Sequence, residues 1–112
     1  FRFRESDFEA TEMDGVPSPA WPLGYGDLEQ HYAAAERLYG VRGQSGVDPT
    51  EPQRAAYPHA AIPHEPTIAA LSNKLSAQGL HPFHMPSAVD YGPGGTCQRC
   101  GTCDAFACRF DA

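Results

Sequence analysis

The stretch Trp21-Pro22-Leu23-Gly24-Tyr25-Gly26-Asp27-Leu28-Glu29, continued by Gln30-His31-Tyr32-Ala33-Ala34-Ala35-Glu36-Arg37-Leu38-Tyr39-Gly40-Val41, decides how this 112-residue chain reads. Leu28, Tyr32, Ala35 and Leu38 recur at steps of four, three and three, which puts them on one helical face. Gly24 stands at the N-cap position, where it is tolerated though weaker than Ser or Thr. Asp27 brings negative charge to the first turn, where the helix dipole favours it. Three consecutive alanines add helix propensity, and Gly40 supplies a residue able to close the helix in the left-handed conformation. The spacing predicts a helix over 25–39 whose Leu28–Leu38 stripe faces a core.

Working outward, a second helix is expected over 66–78, with Ile68, Leu71 and Leu75 on one side. Pro66 suits its first turn, Glu65 complements the dipole, and Gly79 ends it. Between the helices, Gly43, Gly46, Pro49, Pro52, Pro58 and Pro63 punctuate a linker-like stretch over 41–63. Before the first helix, Pro17 and Pro19 discourage helix, so residues 1–20 read as a connecting loop with a short strand over 1–4. A second short strand over 80–85 is held to an edge by Pro82 and Pro86. The fold class is α+β and loop-rich.

Composition points the same way. With Gly 11 and Pro 11, close to a fifth of the chain is glycine or proline, against a usual share of roughly 12%. Hydrophobic residues make up 41%. The chain opens on Phe1-Arg2-Phe3-Arg4 and closes on Cys108-Arg109-Phe110-Asp111-Ala112. The expectation is one internal segment, 1–112, that leans on a larger body and is not an autonomous domain. A formal net charge of −6 with scattered basic residues disfavours nucleic acid as a partner. No apolar run approaches the roughly 18–20 residues of a membrane helix. Bacterial cytoplasm and periplasm both stay open as compartments.

The most specific chemical signal is the cysteine-rich loop over 94–112. Cys97, Cys100, Cys103 and Cys108 lie within twelve residues, spaced C-x2-C-x2-C-x4-C. Thiolates three residues apart let one loop wrap an iron–sulfur cluster, as in ferredoxin runs of C-x2-C-x2-C-x3-C-P, and Gly101 would help the backbone turn. Two departures stand out: the last spacing is four, and Arg109 occupies the place of the proline. Disulfides or free thiols are the competing reading. Bridges between cysteines three apart are strained, because a disulfide wants its Cα atoms ~4.4–6.8 Å apart; Cys97 or Cys100 with Cys108 is easier. Zinc is weaker, since structural zinc usually draws two separated C-x2-C pairs.

His59, His64, His81 and His84 read as surface or hydrogen-bonded histidines. His81 and His84, three apart in extended chain, point to opposite faces. Trp21 reads as a packing anchor.

Several stretches together resemble the glucose–methanol–choline oxidoreductases, in their cysteine-bearing bacterial dehydrogenase branch. Phe1-Arg2-Phe3-Arg4-Glu5-Ser6-Asp7-Phe8 resembles the segment after that family's glycine-rich second flavin contact. Trp21 to Glu29 is similar to W-P-I/L-x-Y-x-D-L-E, and Tyr32 to Val41 to the continuation Y-x-x-A-E-x-L-x-G-V. Cys97-Gln98-Arg99-Cys100-Gly101-Thr102-Cys103-Asp104-Ala105-Phe106-Ala107-Cys108 resembles C-x-x-C-G-x-C-D-x-F-x-C. Residues 42–78 are less diagnostic. The departure at Gly24, where the family usually has Ser or Thr, weakens one match.

The resemblance implies that the segment belongs to a two-domain FAD-binding α/β flavoprotein that oxidises the CH–OH group of an alcohol, sugar or polyol. It implies hydride transfer to flavin with a histidine as base, and both the G-x-G-x-x-G fingerprint and that histidine lie elsewhere in such enzymes. No catalytic residue and no flavin-binding residue is therefore assigned here, and none of the five histidines inherits the role. Some relatives relay electrons from flavin through a cysteine-bound iron–sulfur cluster to an electron-acceptor subunit or quinone; Cys97, Cys100, Cys103 and Cys108 are the residues this would use. The rivals are a self-contained iron–sulfur or other metal-binding electron-transfer module and a disulfide-stapled binding domain.

Overall fold

The computed structural model describes residues 2–91, 94–98, 100 and 108. In chain order they form a single 3-10 turn (Glu5–Phe8), an antiparallel hairpin β1 (Thr11–Met13) and β2 (Val16–Ser18), helix α1 (Tyr25–Leu38), strands β3 (Arg42–Gly43) and β4 (His59–Ala60), and helix α2 (Pro66–Ser76). This is an α+β arrangement with short strands and long irregular connections.

The first twenty residues are more ordered than a connecting loop. Residues 2–4 are not a strand; they run unpaired into the 3-10 turn, where Asp7 accepts a hydrogen bond from the Arg4 backbone N–H at 2.6 Å and returns one from its own N–H to the Arg4 carbonyl at 3.1 Å. A hairpin then forms about Asp14 and Gly15, both left-handed with φ of 53° and 77°, the conformation a two-residue type I′ turn requires. Met13 pairs with Val16, Glu12 with Pro17 and Thr11 with Ser18. Hydrogen-bonded pairs alternate with non-bonded ones in such a ladder, so Pro17 takes the intervening position, where its missing N–H forfeits nothing. The prolines obscured a turn that Asp14-Gly15 announces.

Helix α1 spans the expected residues to within one. Asp27 accepts a hydrogen bond from the Gly24 N–H at 2.9 Å, the backward half of a capping box. At the other end Gly40 has φ 58°, its N–H reaches the Arg37 carbonyl at 3.2 Å, and the Val41 N–H reaches that of Glu36 at 2.9 Å. That pair of bonds is a Schellman motif. The buried face is not the expected stripe. Leu38 is 79% exposed and Ala35 is also exposed, whereas Tyr25 is 7% exposed. The helix instead turns Tyr25, Glu29, Tyr32 and Glu36 toward Arg2, and charge pairing orients it where the apolar stripe was expected to.

Residues 41–63 are likewise more than a linker. Strand β3 pairs in parallel with β4, Arg42 opposite His59 and Gly43 opposite Ala60, and bridges antiparallel to Ser87 on its other side. The connection between β3 and β4 is tied by polar side chains. Asp48 accepts from the Thr50 N–H at 2.9 Å and hydroxyl at 2.7 Å, and Glu51 accepts from the Gly46 N–H at 2.9 Å. Residues 80–85 form no strand; Ser87 alone makes the bridge to β3. Helix α2 stops at Ser76, two residues short of the expected end, and its chain turns off through Gly79 at φ 81° with the Leu80 N–H on the Leu75 carbonyl at 3.2 Å.

Among the described residues the buried apolar side chains are Phe8, Tyr25 and Pro52. Phe8 meets Phe3 and Trp21 edge-on, with centroids 5.9 and 5.7 Å away, an arrangement aromatic quadrupoles favour. The Trp21 ring, expected as a packing anchor, meets Phe3 and Phe8 but stays 51% exposed, and its backbone N–H donates to the Phe8 carbonyl at 3.0 Å. Broad packing between named elements is confined to the two strand pairs. The chain exposes 8534 Å², where a compact monomer of 12.1 kDa exposes about 6,000 Å². Its radius of gyration is 17.2 Å, against about 13 Å for a compact domain of this length. No helix among the described residues is long and apolar enough to cross a membrane.

Candidate functional site

Two constellations carry charge or reactive groups: an arginine–carboxylate cluster beneath α1 and the cysteine segment after Ser87.

The cluster follows from the periodicity of α1. Tyr25, Glu29, Tyr32 and Glu36 lie at steps of four, three and four and share a face. Arg2, 4% exposed at its side chain, grips Glu36 with two parallel bonds of 3.0 and 2.9 Å, the fork geometry in which guanidinium and carboxylate match. Its remaining nitrogen donates to the Tyr25 hydroxyl at 2.7 Å and to Glu29 at 3.2 Å, and its carbon lies 5.4 Å from the Tyr32 ring centre. Arg54, 2% exposed, donates to Glu36 from the other side at 2.5 Å and sits 3.6 Å above the Tyr57 ring. Glu51 is 3.5 Å from Arg54, and Arg4 pairs with Asp48.

Burial works against the charge on Glu36, but the bonds from Arg2 and Arg54 outweigh it and hold its carboxyl below the usual range. Burial likewise opposes the charge on Arg2, and bonds to Glu36, Tyr25 and Glu29 raise it further above its ordinary value. Burial also pushes the Tyr57 hydroxyl upward. Every shift strengthens the charge state these groups already have at neutral pH. A general acid or base needs the opposite, a value drawn toward the operating pH. One adjoining cavity, lined in part by Arg4, Gln44 and Arg54, is about 20 Å³, room for one water, and a second, more open one of about 260 Å³ lies along Arg2, Tyr32, Glu36 and Tyr57. The cluster is a brace, joining residue 2 to α1 and to the β3–β4 connection.

The cysteine segment is held by Asp90. Its Oδ2 accepts from the Thr96 N–H at 2.9 Å and from the Thr96 hydroxyl at 2.8 Å, and its carbonyl accepts from the Cys97 N–H at 3.0 Å. Its Oδ1 faces the Arg42 guanidinium at 3.5 Å. The Thr96 bonds, with Arg42 behind them, hold the Asp90 carboxyl below the usual range. Cys97 is half-buried and Cys100 exposed, both free thiols; Cys108 is half-buried. Cys103 lies outside the described residues, as does most of the 94–112 loop beyond Cys100. Among the described residues no three His, Cys, Asp or Glu side chains converge as a metal site.

The histidines pair differently from the sequence spacing. His84 stacks on His64, ring centres 3.8 Å apart and 13° from parallel. Burial, then the facing His64, lowers His84. No sequence signal marks a pair twenty residues apart. The Arg2–Glu36 brace has one, in the 4-3-4 spacing of Tyr25, Glu29, Tyr32 and Glu36, which competes with the apolar stripe on the same helix. The hold of Asp90 on Thr96 had none.

No protein-family model matches the chain, and no solved structure matches it. It is similar to the gluconate 2-dehydrogenase flavoprotein of Pantoea cypripedii, with 25% identity over 116 residues covering 85% of this chain and 19% of that protein. The chain spans about a fifth of the length of that relative.

Proposed function

We propose that this chain is an internal part of an FAD-dependent dehydrogenase of the glucose–methanol–choline type, acting on the CH–OH group of an alcohol, sugar, polyol or sugar acid. The observation that carries this reading is the similarity to a flavoprotein dehydrogenase along 85% of the chain. The order of motifs supports it, and so does their joining in space. Arg2, from the first motif, is bonded to Tyr25 and Glu29 of the second and to Glu36 of its continuation. The exposed apolar side chains of the described residues, Leu38, Tyr39, Ile68 and Leu71 among them, support the segment's dependence on more polypeptide.

The flavin, when bound, accepts hydride from the carbinol carbon. The residues of this chain contribute support. The Arg2–Glu36–Arg54 brace fixes α1 against the connection between β3 and β4. Cys97 and Cys100 offer soft sulfur donors three residues apart on an irregular stretch, a donor set that suits iron–sulfur ligation. With Cys103 and Cys108 they would hold such a cluster, which would supply one-electron transfer toward an acceptor subunit or quinone.

The test is made on the full polypeptide that contains these residues. The purified protein is expected to release FAD on denaturation, to contain iron and acid-labile sulfide, and to reduce an artificial electron acceptor when given gluconate or another polyol. Absence of flavin, together with no acceptor reduction by any sugar, polyol or sugar acid, refutes the reading.

A further inference from the structure

We propose that Asp90 is a positioning residue for the cysteine segment, fixing the backbone at Thr96 and Cys97 so that the first thiol is placed before any cofactor binds. This rests on the reading of the cysteines as metal ligands. One residue closes the loop three times over, through two bonds to Thr96 and one to the Cys97 N–H. The loop is anchored behind Asp90 as well. Arg42 of β3 faces its carboxylate, and the Arg42 backbone exchanges bonds with Ser87 at 2.7 and 3.0 Å. A continuous set of contacts therefore runs from the sheet to the first cysteine.

Gly95 makes the closure possible. A side-chain carbon there would lie 2.5 Å from the Asp90 carbonyl oxygen, the same oxygen that accepts from Cys97. The clash is with backbone, so alanine at 95 must move either the carbonyl or the turn. Ligands held by an outer shell of hydrogen bonds lose less freedom on binding, and loss of that shell weakens metal sites substantially.

The experiment uses the full polypeptide and compares wild type with Asp90→Ala, Gly95→Ala and Asp90→Asn, reading amide hydrogen exchange and iron content. In wild type, stripped of metal under reducing conditions, the Thr96 and Cys97 amides are expected to stay protected. In Asp90→Ala, which keeps the backbone acceptor of Cys97 but loses both bonds to Thr96, the Thr96 amide is expected to exchange at least about fivefold faster, as loss of one or two net hydrogen bonds implies; in Gly95→Ala both amides do so, and iron per chain falls in each variant. Asp90→Asn, which keeps an acceptor oxygen, retains most of both. Unchanged exchange over α1 and unchanged flavin content mark folded variants. Wild-type exchange at Thr96 in Asp90→Ala overturns the proposal. A wild-type protein without iron or sulfide overturns the ligand reading instead, and the exchange comparison still decides whether Asp90 holds the segment.

Discussion

At Glu36 two guanidinium groups converge on one carboxylate from either side of it in the sequence, Arg2 at 2.9 and 3.0 Å and Arg54 at 2.5 Å. A buried ion pair adds less to stability than its distances suggest, but removing one partner strands the others without water. Glu36→Gln keeps the shape and deletes the charge. It is expected to destabilise the protein by about 3 kcal/mol, read as a lower urea midpoint, whereas Glu29→Gln, at a single half-exposed contact of 3.2 Å, costs much less. The pH dependence follows from the direction of the shift. Glu36 is lowered from its ordinary 4.5, so the unfolded chain binds the proton first as pH falls. Its contribution is complete above about pH 4.5 and disappears as pH falls through the lower folded value. Glu36→Gln should therefore flatten the acid limb of the stability curve, measured by denaturation between pH 3 and 7.

At the scale of elements, the short strands owe their place to close approach. Gly43 in β3 lies under Tyr57, and a side-chain carbon there would stand 2.6 Å from the ring. That ring is held from its other contacts by Arg54, 3.6 Å away. Gly40, by contrast, would meet only ordinary contacts with His59, so alanine there carries chiefly the left-handed backbone penalty at φ 58°. Gly40→Ala is expected to cost about 1 kcal/mol, and Gly43→Ala more, about 2–3 kcal/mol. Urea midpoints of the two variants check the order. If Gly43→Ala is the milder, Tyr57 is not locked as described.

For the whole molecule, the apolar surface is the leading fact. Leu38, Tyr39, Ile68, Leu71, Met13 and Val16 are all substantially exposed, and the two helices present apolar faces that no described element covers. In the proposed flavoenzyme those faces meet the remaining polypeptide. Leu38→Asp is then expected to lower the melting temperature of the full protein by several degrees, equivalent to roughly 2 kcal/mol of lost burial. Gln30→Asp, at an exposed polar position of the same helix, should leave stability within about 0.5 kcal/mol, as at an ordinary surface position. Equal, small effects of the two changes would show that the Leu38 face is open in the whole molecule too.

What the sequence determined by itself was local. Gly24, Asp27 and Gly40 set the ends of α1, and Pro66 and Gly79 those of α2, because caps and left-handed closures depend on residues within one turn. Asp14-Gly15 held the hairpin too, though Pro17 and Pro19 led the reading toward loop. The cysteine spacing named the residues for soft-metal chemistry, but Cys103 and most of that loop lie outside the described residues. Tertiary structure decided which face of α1 turned inward. Propensity and periodicity rank faces by apolarity, whereas here guanidinium groups from positions 2 and 54 set the orientation through desolvated ion pairs. It alone also decided that Asp90 grips Thr96 and that His84 meets His64, since neither contact leaves a period in the chain. Such pairings depend on where distant segments cross, and a one-dimensional pattern carries no record of that.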